Sequence, residues 1–370
     1  MDKIITVLGT RPEIIRTSRI TPKLDKHANH IIVHTNQNFA NNLKDLFFKE
    51  LELRHPDIVL NDGVEGGWNS PSHTTFGLGA QLARMFPQIE EVFKREQPDK
   101  VFILGDTNSA LCAIIAERMG IPVYHMEAAN RSFNREIPEE VNRMLIDHIS
   151  TYNLFYTPLN RHTLLREGCD PNRIFQCGNP TLEIVDYYKD KIERSNILRK
   201  LNLHPKQYFL VDIHRTENTE SPERLLEIIL GLNKIDDVFN LPIICSIHPR
   251  TQDKLKNLNY TLNKNVIFLD SMGFIDFQKL EKNALVGLTD SGLCSEEYCL
   301  YRVPCVIVRN ETERPEVVEA GGAIISGIDS QKIVESTQLM VKIDNKEWII
   351  PDGYQYLNVS DRVVNYMLGE

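Results

Sequence analysis

The sequence lacks the features that mark membrane, nucleic-acid-binding and secreted proteins. It has no apolar run near the roughly 20 residues that a membrane-spanning helix requires. It has no block of lysines and arginines, and its formal net charge is −9, whereas a nucleic-acid surface needs clustered positive charge. The chain opens on a predicted strand rather than on a signal-peptide pattern. We therefore expect a cytoplasmic protein that binds neither a membrane nor a nucleic acid.

Paired cysteines are also missing. Seven cysteines are scattered without a CxxC motif, and most of them lie in apolar surroundings. A zinc site or a disulfide framework would need regular cysteine spacing. The pattern therefore predicts reduced thiols in the core, with no metal and no disulfide.

Length and hydrophobic content predict two domains. At 370 residues the chain is too long for one core, and its hydrophobic fraction of 42% is enough for two. Short strands alternate with helical patterns in two blocks. Strands are predicted at 3–8, 30–34, 100–104, 121–126, 151–156 and 173–177, and then at 207–213, 242–247, 265–269, 284–289, 304–308 and 322–326. Helices are predicted at 12–25, 39–50, 73–97, 107–119, 138–149, near 180–200, and at 222–238, 251–258, 275–283, 295–301, 313–319 and 330–341.

This alternation is typical of βαβ units with parallel strands. Two such blocks predict an α/β fold with two Rossmann-type, doubly wound domains, residues 1–178 and 179–354, and an interdomain cleft. Because ligands bind at the carboxyl ends of the strands in such sheets, functional residues should follow the strands.

The stretch Gly9-Thr10-Arg11-Pro12-Glu13 follows the first strand. Proline in the first turn of a helix removes an N–H that would have no partner there. The remaining N–H groups, with Arg11 beside them, suit a phosphate or another anion. The same pentapeptide would also fit a surface turn, so its interpretation depends on the other strand ends.

Carboxylates follow two further strands and begin one helix in the first half of the chain. Asp106 follows strand 100–104, where it could also cap a helix. Glu127 follows strand 121–126, and Glu139 lies in the first turn of a helix, where the helix dipole favours an acid. The dipole does not explain three carboxylates facing one predicted cleft. We therefore interpret them as candidate catalytic groups.

Histidines, arginines and a glycine turn follow the strands of the second half. They are His214-Arg215, His248-Pro249-Arg250, Asp290-Ser291-Gly292 and Arg309, each at a predicted strand end. The serine-glycine turn would let backbone N–H groups meet a diphosphate. The set predicts an anion-binding site rather than isolated structural histidines.

Together these motifs resemble the non-hydrolysing UDP-N-acetylglucosamine 2-epimerase family. They occur in the family's order and span residues 1–330. The matching segments are 9–13, 105–107, 126–128, 138–143, 214–215, 290–292, 296–297 and 312–316. The resemblance implies a GT-B-like fold, a homodimer and no bound cofactor. It also implies a C-terminal helix near 355–368, within a segment 355–370 that crosses back to the first domain.

The resemblance implies an isomerase that inverts C2 of a UDP-2-acetamido sugar, converting UDP-N-acetylglucosamine to UDP-N-acetylmannosamine. The family route is anti elimination of UDP to a 2-acetamidoglucal, followed by re-addition of UDP with the C2 proton delivered to the opposite face. The implied acid/base and stabilising set is Asp106, Glu127, Glu139 and His214. The implied substrate-binding set is Arg11, Arg16, Arg143, His248, Phe277 near the uracil, Ser291, Gly292, Glu297 at the ribose hydroxyls, and Arg314.

The sequence departs from the family pattern at several positions. Arg16 stands where the family often has lysine, and arginine does not readily donate a proton. Ala129 replaces the glycine of the common Glu-Ala-Gly. Residues 35–38 and 130–136 resemble the branch that makes UDP-N-acetyl-L-fucosamine or epimerises diacetamido uronic acids. Residues 66–71 match neither branch.

Two other classes of protein would share this architecture. A GT-B glycosyltransferase would need an acceptor site and would lack the clustered carboxylates. A nucleotide-sugar-binding protein would bind UDP without chemistry. Incubation with a UDP-sugar alone separates the three classes, because only the epimerase exchanges the C2 proton with solvent.

Overall fold

The computed structural model describes residues 1–37, 41–60, 77–246, 261–270, 272–343 and 348–369. The chain divides into two compact units. The first contains Met1–Asp186 and Asp352–Glu370, and the second contains Tyr187–Pro351. The predicted domain boundaries at residues 178 and 354 stay predictions.

The first unit is built on a parallel sheet of seven strands in the order β3-β2-β1-β4-β5-β6-β7. The strands are β1 Lys3–Leu8, β2 Asn29–His34, β3 Ile58–Val59, β4 Lys100–Leu104, β5 Val123–Met126, β6 Tyr152–Phe155 and β7 Ile174–Gln176. Its helices are α1 Arg11–Thr17, α2 Thr21–His27, α3 Asn41–Glu50, α4 Leu78–Glu96, α5 Ala113–Arg118, α6 Pro138–Ile149, α7 Pro158–Arg166 and α8 Thr181–Tyr187, with 3₁₀ turns at Asn108–Cys112 and Pro171–Arg173.

Both faces of this sheet are covered. Because successive side chains of a strand point to opposite faces, Ile5 and Val7 of β1 pack in one core cluster and Ile4 packs in another. In β4, Ile103 joins the first cluster and Leu104 the second. Burial on both faces explains why the strands read as continuous apolar runs instead of alternating with polar residues.

The second unit has a parallel sheet of six strands in the order β10-β9-β8-β11-β12-β13. The strands are β8 Phe209–Asp212, β9 Ile243–Ser246, β10 Val266–Leu269, β11 Val286–Thr289, β12 Cys305–Ile307 and β13 Ala323–Ile325. Its helices are α9 Lys189–Arg194, α10 Ile197–Lys200, α11 Thr216–Thr219, α12 Pro222–Phe239, α13 Phe274–Asn283, α14 Gly292–Tyr301, α15 Pro315–Glu319 and α16 Ser330–Val341. The predicted fold class, two doubly wound parallel-sheet domains, is confirmed.

The C-terminal segment belongs to the first unit. It ends in α17, Val359–Gly369, whose apolar side packs in a core cluster with β1, β4 and β5. The Asn179 N–H donates to the Gly353 carbonyl at 2.7 Å, and the Ser360 N–H donates to Glu183 at 2.8 Å. These bonds fix the start of the segment and the start of α17 to the unit in which the chain begins.

Some elements differ from the sequence predictions. The helix predicted at 12–25 is two helices, because Pro22 lacks the N–H that a continuous helix would need and instead starts α2. Strand β3 and helix α7 are not among the predicted elements. The start of α7 has a sequence signal, because its N-cap Thr157 forms a capping box with Asn160. The helix predicted at 251–258 lies outside the described residues. All seven cysteines are free, and all but Cys169 are buried, as the sequence predicts.

A helix must be both long and apolar to cross a bilayer. Among the helices that the structure describes, none meets both conditions.

Gly353 provides a test of how the C-terminal segment is attached. Its φ is +86°, and an added Cβ would lie 2.1 Å from the Tyr156 carbonyl oxygen. We therefore expect Gly353→Ala to lower the free energy of unfolding by about 1–3 kcal/mol. The matched control is Gly79→Ala in α4, where nothing lies within 4 Å of the new methyl group. Urea denaturation should show the control unchanged or slightly more stable, and equal stability of the two variants would contradict the close approach.

Candidate active site

Each sheet reverses its strand order at one position. In the first unit β1 and β4 are neighbours, and in the second β8 and β11 are neighbours. In open α/β sheets, ligands bind at the carboxyl ends of the strands that flank such a reversal. Arg11 follows β1 and Asp106 follows β4, while His214 follows β8 and Asp290 follows β11. Each unit therefore places candidate residues at its own switch point.

The turn from β1 to α1 requires glycine. An added Cβ at Gly9 would lie 1.9 Å from Ser109 Oγ and 2.5 Å from Thr35 Oγ1. The absence of a side chain lets the turn pass directly against these residues. Arg11 lies two residues after Gly9 and is half-buried. Its guanidinium lies 5.8 Å from the centre of the Phe47 ring. Arg11 therefore carries a positive charge at the carboxyl end of β1.

Glu13 fastens this turn to the end of β4. Its carboxylate accepts hydrogen bonds from the backbone N–H groups of Gly9 and Thr10, the latter at 3.1 Å. The Thr107 hydroxyl donates to the same carboxylate at 2.6 Å. Burial raises the pKa of Glu13 to about 7, although these hydrogen bonds act in the opposite direction. One buried acid thus joins the turn that carries Arg11 to the turn that carries Asp106.

Asp106 is held by helix α6. Gly105 precedes it with a φ of +81°. The Arg143 guanidinium lies 3.2 Å from the Asp106 carboxylate, and the Asn142 amide donates to the Asp106 carbonyl at 2.9 Å. Glu139 lies in the first turn of the same helix, is partly exposed, and makes no hydrogen bond with the described residues. Helix α6 therefore fixes Asp106 and leaves the Glu139 carboxylate available.

Glu127 forms an ion pair with Arg16. The side chains of Arg16 and Glu127 are 3% and 12% exposed, so little water screens the pair. The Tyr156 hydroxyl lies 3.1 Å from Arg16 Nη1 and 3.5 Å from Glu127 Oε2. A Cβ built on Gly105 would lie 3.9 Å from Glu127 Oε2, so this carboxylate faces the turn that leads into Asp106. Three candidate groups, Arg16, Asp106 and Glu127, are thus brought together at the ends of β4 and β5.

His214 lies against two carboxylates in the second unit. Its Nδ1 is 3.2 Å from Asp212 Oδ2 and 3.7 Å from Asp290 Oδ1, and the ring is 45% exposed. Desolvation favours the neutral ring, but the charge and hydrogen bond of Asp212 and the charge of Asp290 together outweigh it and raise the pKa of His214. Asp290 also accepts the backbone N–H groups of His214 and Arg215, at 3.1 and 3.0 Å. The structure therefore places a partly exposed, readily protonated imidazole at the end of β8.

A buried glutamate organises the arginines near the start of α14. Glu313 pairs with Arg309 at 2.6 Å and with Arg215. A Cβ added to Gly292 would lie 2.8 Å from Glu313 Oε1, so the helix start approaches this cluster closely. Ser291 caps the helix, because its hydroxyl accepts the Cys294 N–H at 3.4 Å.

Arg314 and Glu297 are buried and already have protein partners. Arg314 forms an ion pair with Glu296. Glu297 accepts from the Gln278 amide at 2.6 Å. Phe277 is partly exposed on α13, next to Gln278. The predicted roles of these residues toward the nucleotide therefore stay predictions. His248 lies outside the described residues, as do residues 66–71.

One group of described side chains has the spacing of a metal site. Ligand atoms of Glu281, Cys294 and Glu297 lie within 4.8 Å of one another. The Gln278 amide donates to both carboxylates, at 2.8 and 2.6 Å, and its hydrogens would repel a cation in that position. Burial, and then the neighbouring Glu297, raise the pKa of Glu281. The geometry fits a pair of acids that share a hydrogen-bond donor better than it fits a metal.

The structure adds residues to those that the sequence motifs indicate. Tyr156 directly follows β6, so the strand-end rule could have identified it. Thr107 and Glu13 lie within the motifs, but the motifs alone assign them no role. Asp147 lies in the last turn of α6, where no sequence signal distinguishes it from an ordinary surface acid.

The chain is similar in sequence and in structure to known UDP-sugar 2-epimerases. The model of the family described as UDP-N-acetylglucosamine 2-epimerase matches residues 22–368. The UDP-N-acetylglucosamine 2-epimerase of Methanocaldococcus jannaschii is 39% identical over 360 residues, which are 95% of each chain. The UDP-2,3-diacetamido-2,3-dideoxy-D-glucuronate 2-epimerase of Pseudomonas aeruginosa is 31% identical over 372 residues, which are 99% of each chain. A crystal structure of the Methanocaldococcus jannaschii epimerase with UDP-GlcNAc and UDP matches all of both chains, with a TM-score of 0.91 and 37% identity.

The fold and these matches define a GT-B-like enzyme of the isomerase class. The chain belongs to the UDP-N-acetylglucosamine 2-epimerase family. The family that the sequence motifs indicate is thereby confirmed.

Glu13 predicts a pH dependence of stability. Its pKa is about 7 in the folded protein and 4.5 in the exposed group, so between these values the folded state keeps a proton that the unfolded state releases. The resulting stabilisation is fully present below pH 4.5 and is lost as the pH rises through 7, by up to about 3 kcal/mol. Glu13→Gln removes the titrating group.

The measurement is urea denaturation of the wild type and of Glu13→Gln from pH 4.5 to about 8. The stability of the wild type relative to the variant should fall with rising pH. A difference that is constant across this range would contradict the raised pKa.

Proposed function

We propose that the protein inverts C2 of UDP-N-acetylglucosamine and so forms UDP-N-acetylmannosamine. The observation that carries the proposal is the pair formed by Glu127 and Arg16 beside the turn of Asp106, in a chain that belongs to this family. The activity for which the Methanocaldococcus relative is named supports the choice of substrate.

The C2 proton of a hexosamine is not acidic, so simple deprotonation would be slow. In the proposed route a base removes the C2 proton while the bond between C1 and the diphosphate oxygen breaks, which gives UDP and 2-acetamidoglucal. UDP then re-forms the bond at C1 while an acid delivers a proton to the opposite face of C2. This chemistry needs acid/base groups on two faces of the ring and positive charge on the departing diphosphate.

We assign both requirements to the residues that the sequence motifs indicate. The acid/base and stabilising set is Asp106, Glu127, Glu139 and His214. The proposed nucleotide ligands are Arg11, Ser291, Gly292, Glu297, Phe277 and Arg314, together with His248, Arg16 and Arg143 as further substrate-binding residues. Arg16 lies beside Glu127 as a fixed positive charge, because a guanidinium does not lose its proton in this pH range.

A second candidate substrate is a modified sugar. The Pseudomonas relative carries the name of a diacetamido-glucuronate 2-epimerase. Residues 130–136 resemble the branch that acts on such sugars, and within them Ser132 and Phe133 donate backbone N–H groups to Glu140, at 2.9 and 3.0 Å. The reaction at C2 would be the same, and only the groups at other ring positions would differ.

We further propose that the enzyme is a cytoplasmic homodimer that uses no bound cofactor. The family resemblance supports the homodimer and the lack of a bound cofactor. Light scattering after size exclusion would test the dimer, since a monomer mass at micromolar concentration would contradict it.

The experiment that tests the reaction is incubation in D₂O with single UDP-sugars and no acceptor, followed by proton NMR. The panel contains UDP-N-acetylglucosamine, a UDP-diacetamido-glucuronate and UDP-N-acetyl-L-fucosamine. We expect deuterium at C2 together with the inverted product, fastest for UDP-N-acetylglucosamine. Binding without exchange would indicate a binding protein, and turnover that depends on an added acceptor would indicate a glycosyltransferase.

Glu127→Gln should slow turnover by about 100-fold or more, because it removes a charged acid/base group while preserving its shape. Glu91→Gln is the matched control, since Glu91 is an exposed carboxylate on α4. UDP binding by calorimetry checks that the variant is folded. Turnover equal to that of the control would remove Glu127 from the mechanism.

Arg11→Ala and Arg314→Ala should both weaken UDP binding, by about 1–3 kcal/mol for each lost charge-assisted contact. Arg11→Ala should also slow turnover, because its charge stabilises the leaving diphosphate. Arg314→Ala should in addition lower stability, because it leaves Glu296 buried without its ion pair. Calorimetry would use Arg95→Ala as a control, at an exposed position of α4. If both variants bound UDP as tightly as this control, the proposed nucleotide ligands would be wrong.

A further inference from the structure

Two turns that carry candidate catalytic carboxylates converge on one buried residue. Asp147 is 1% exposed and lies in the last turn of α6. It is outside the proposed acid/base set, and it has no place in the proposed reaction. Its two carboxylate oxygens instead reach toward the backbone turns that follow β4 and β5.

The first connection is to the turn of Glu127. Glu127 and Ala129 have φ values of 77° and 68°, a left-handed conformation that residues with a Cβ adopt at a cost. The Ala129 N–H donates to Asp147 Oδ2 at 3.0 Å. The Ala129 carbonyl accepts from the Asn160 amide at 3.2 Å. Hydrogen bonds on both sides of Ala129 hold the strained turn that aims Glu127 at Arg16.

The second connection is to the turn of Asp106, through His125. One ring nitrogen of His125, Nδ1, lies 2.9 Å from Asp147 Oδ1. The other, Nε2, donates to the Gly105 carbonyl at 2.9 Å. Gly105 is the left-handed residue that directly precedes Asp106. The imidazole therefore transmits the position of Asp147 to the start of the Asp106 turn.

A buried carboxylate at this place needs compensating charge. Arg131 Nη2 lies 2.6 Å from Asp147 Oδ2 and 2.7 Å from Glu167. Burial alone would raise the pKa of Asp147, but His125 and Arg131 more than reverse this and lower it. Arg131 and His125 thus keep the carboxylate in the form that accepts from Ala129 and faces the ring.

We propose that Asp147 is a positioning residue that fixes the relative placement of the Glu127 and Asp106 carboxylates through Ala129 and His125. The functional part of this inference rests on the proposed epimerase reaction, and the structural part does not. Small displacements of reacting groups can cost about 100-fold in rate, so one distant hydrogen-bonding residue can affect turnover strongly.

The test compares Asp147→Asn with Glu167→Gln. Asparagine keeps the size of the side chain but removes its negative charge, and because it has one acceptor oxygen, only one of Ala129 and His125 can still face an oxygen. Glu167→Gln removes the other carboxylate on Arg131 and leaves both connections in place. Each variant is measured for kcat of C2 inversion, for UDP affinity, for thermal stability and for hydrogen exchange of the Ala129 amide.

For Asp147→Asn we expect kcat to fall by about 10- to 100-fold at a temperature where the protein is folded, with UDP affinity within about twofold of the wild type. The Ala129 amide should exchange faster, and Glu167→Gln should change neither quantity. A purely structural role would reduce activity and UDP affinity together, in proportion to the unfolded fraction. Wild-type kcat in Asp147→Asn would overturn the proposal, and so would unchanged exchange at Ala129.

A second variant and the exchange of the Ala129 amide test the proposal if Asp147→Asn does not fold or if the wild type is inactive. If Asp147→Asn does not fold, His125→Gln removes only the connection to Gly105, and wild-type kcat in that variant would overturn the proposal. If the wild type shows no C2 exchange with any sugar of the panel, the epimerase function fails. The exchange rate of the Ala129 amide still decides whether Asp147 holds the turn.

Discussion

The ion pair of Arg16 and Glu127 is the interaction on which the first unit's site depends. Both charges lie almost out of water, and removing one partner from such a pair typically costs about 3–5 kcal/mol because the other charge stays buried. Glu127 therefore has a fixed place between Arg16 and the Asp106 turn. Arg16 contributes a charge that does not titrate in this pH range and a planar guanidinium with several N–H donors.

Helix α6 is the element that aligns the rest of the site. Its first turn carries Glu139, its middle carries Asn142 and Arg143 against Asp106, and its last turn carries Asp147. Residues at spacings of three and four lie on one face of a helix, so a single rigid element can contact several loops at once. The loops that hold the carboxylates are short and contain left-handed residues, and the helix supplies the constraint that such loops lack on their own.

The strand-end rule explains how much of the site was predictable. Within each unit, parallel strands bring their carboxyl ends to one edge of the sheet, so strand-end positions alone indicate the candidates Arg11, Asp106 and Glu127 in the first unit and His214 in the second. Residues that act through tertiary contacts could not be selected in this way. Nothing in the local sequence of Asp147 shows that it faces Ala129 and His125, and nothing near Arg314 shows that its partner is Glu296. The break between α1 and α2 was readable from Pro22, whereas the two-residue strand β3 depends on pairing with β2 and has no periodic pattern of its own.

The most direct test of the account follows the bond between C1 of the sugar and the diphosphate oxygen. UDP-N-acetylglucosamine with oxygen-18 in this bridge would be incubated with the wild-type protein, and phosphorus NMR would report the position of the label. Elimination predicts that label appears at the non-bridging positions of the β-phosphate while C2 inverts, because the β-phosphate of the departed UDP can turn before the bond at C1 re-forms. Inversion at C2 with all of the label still in the bridge would contradict an elimination in which the departed β-phosphate turns before the bond re-forms.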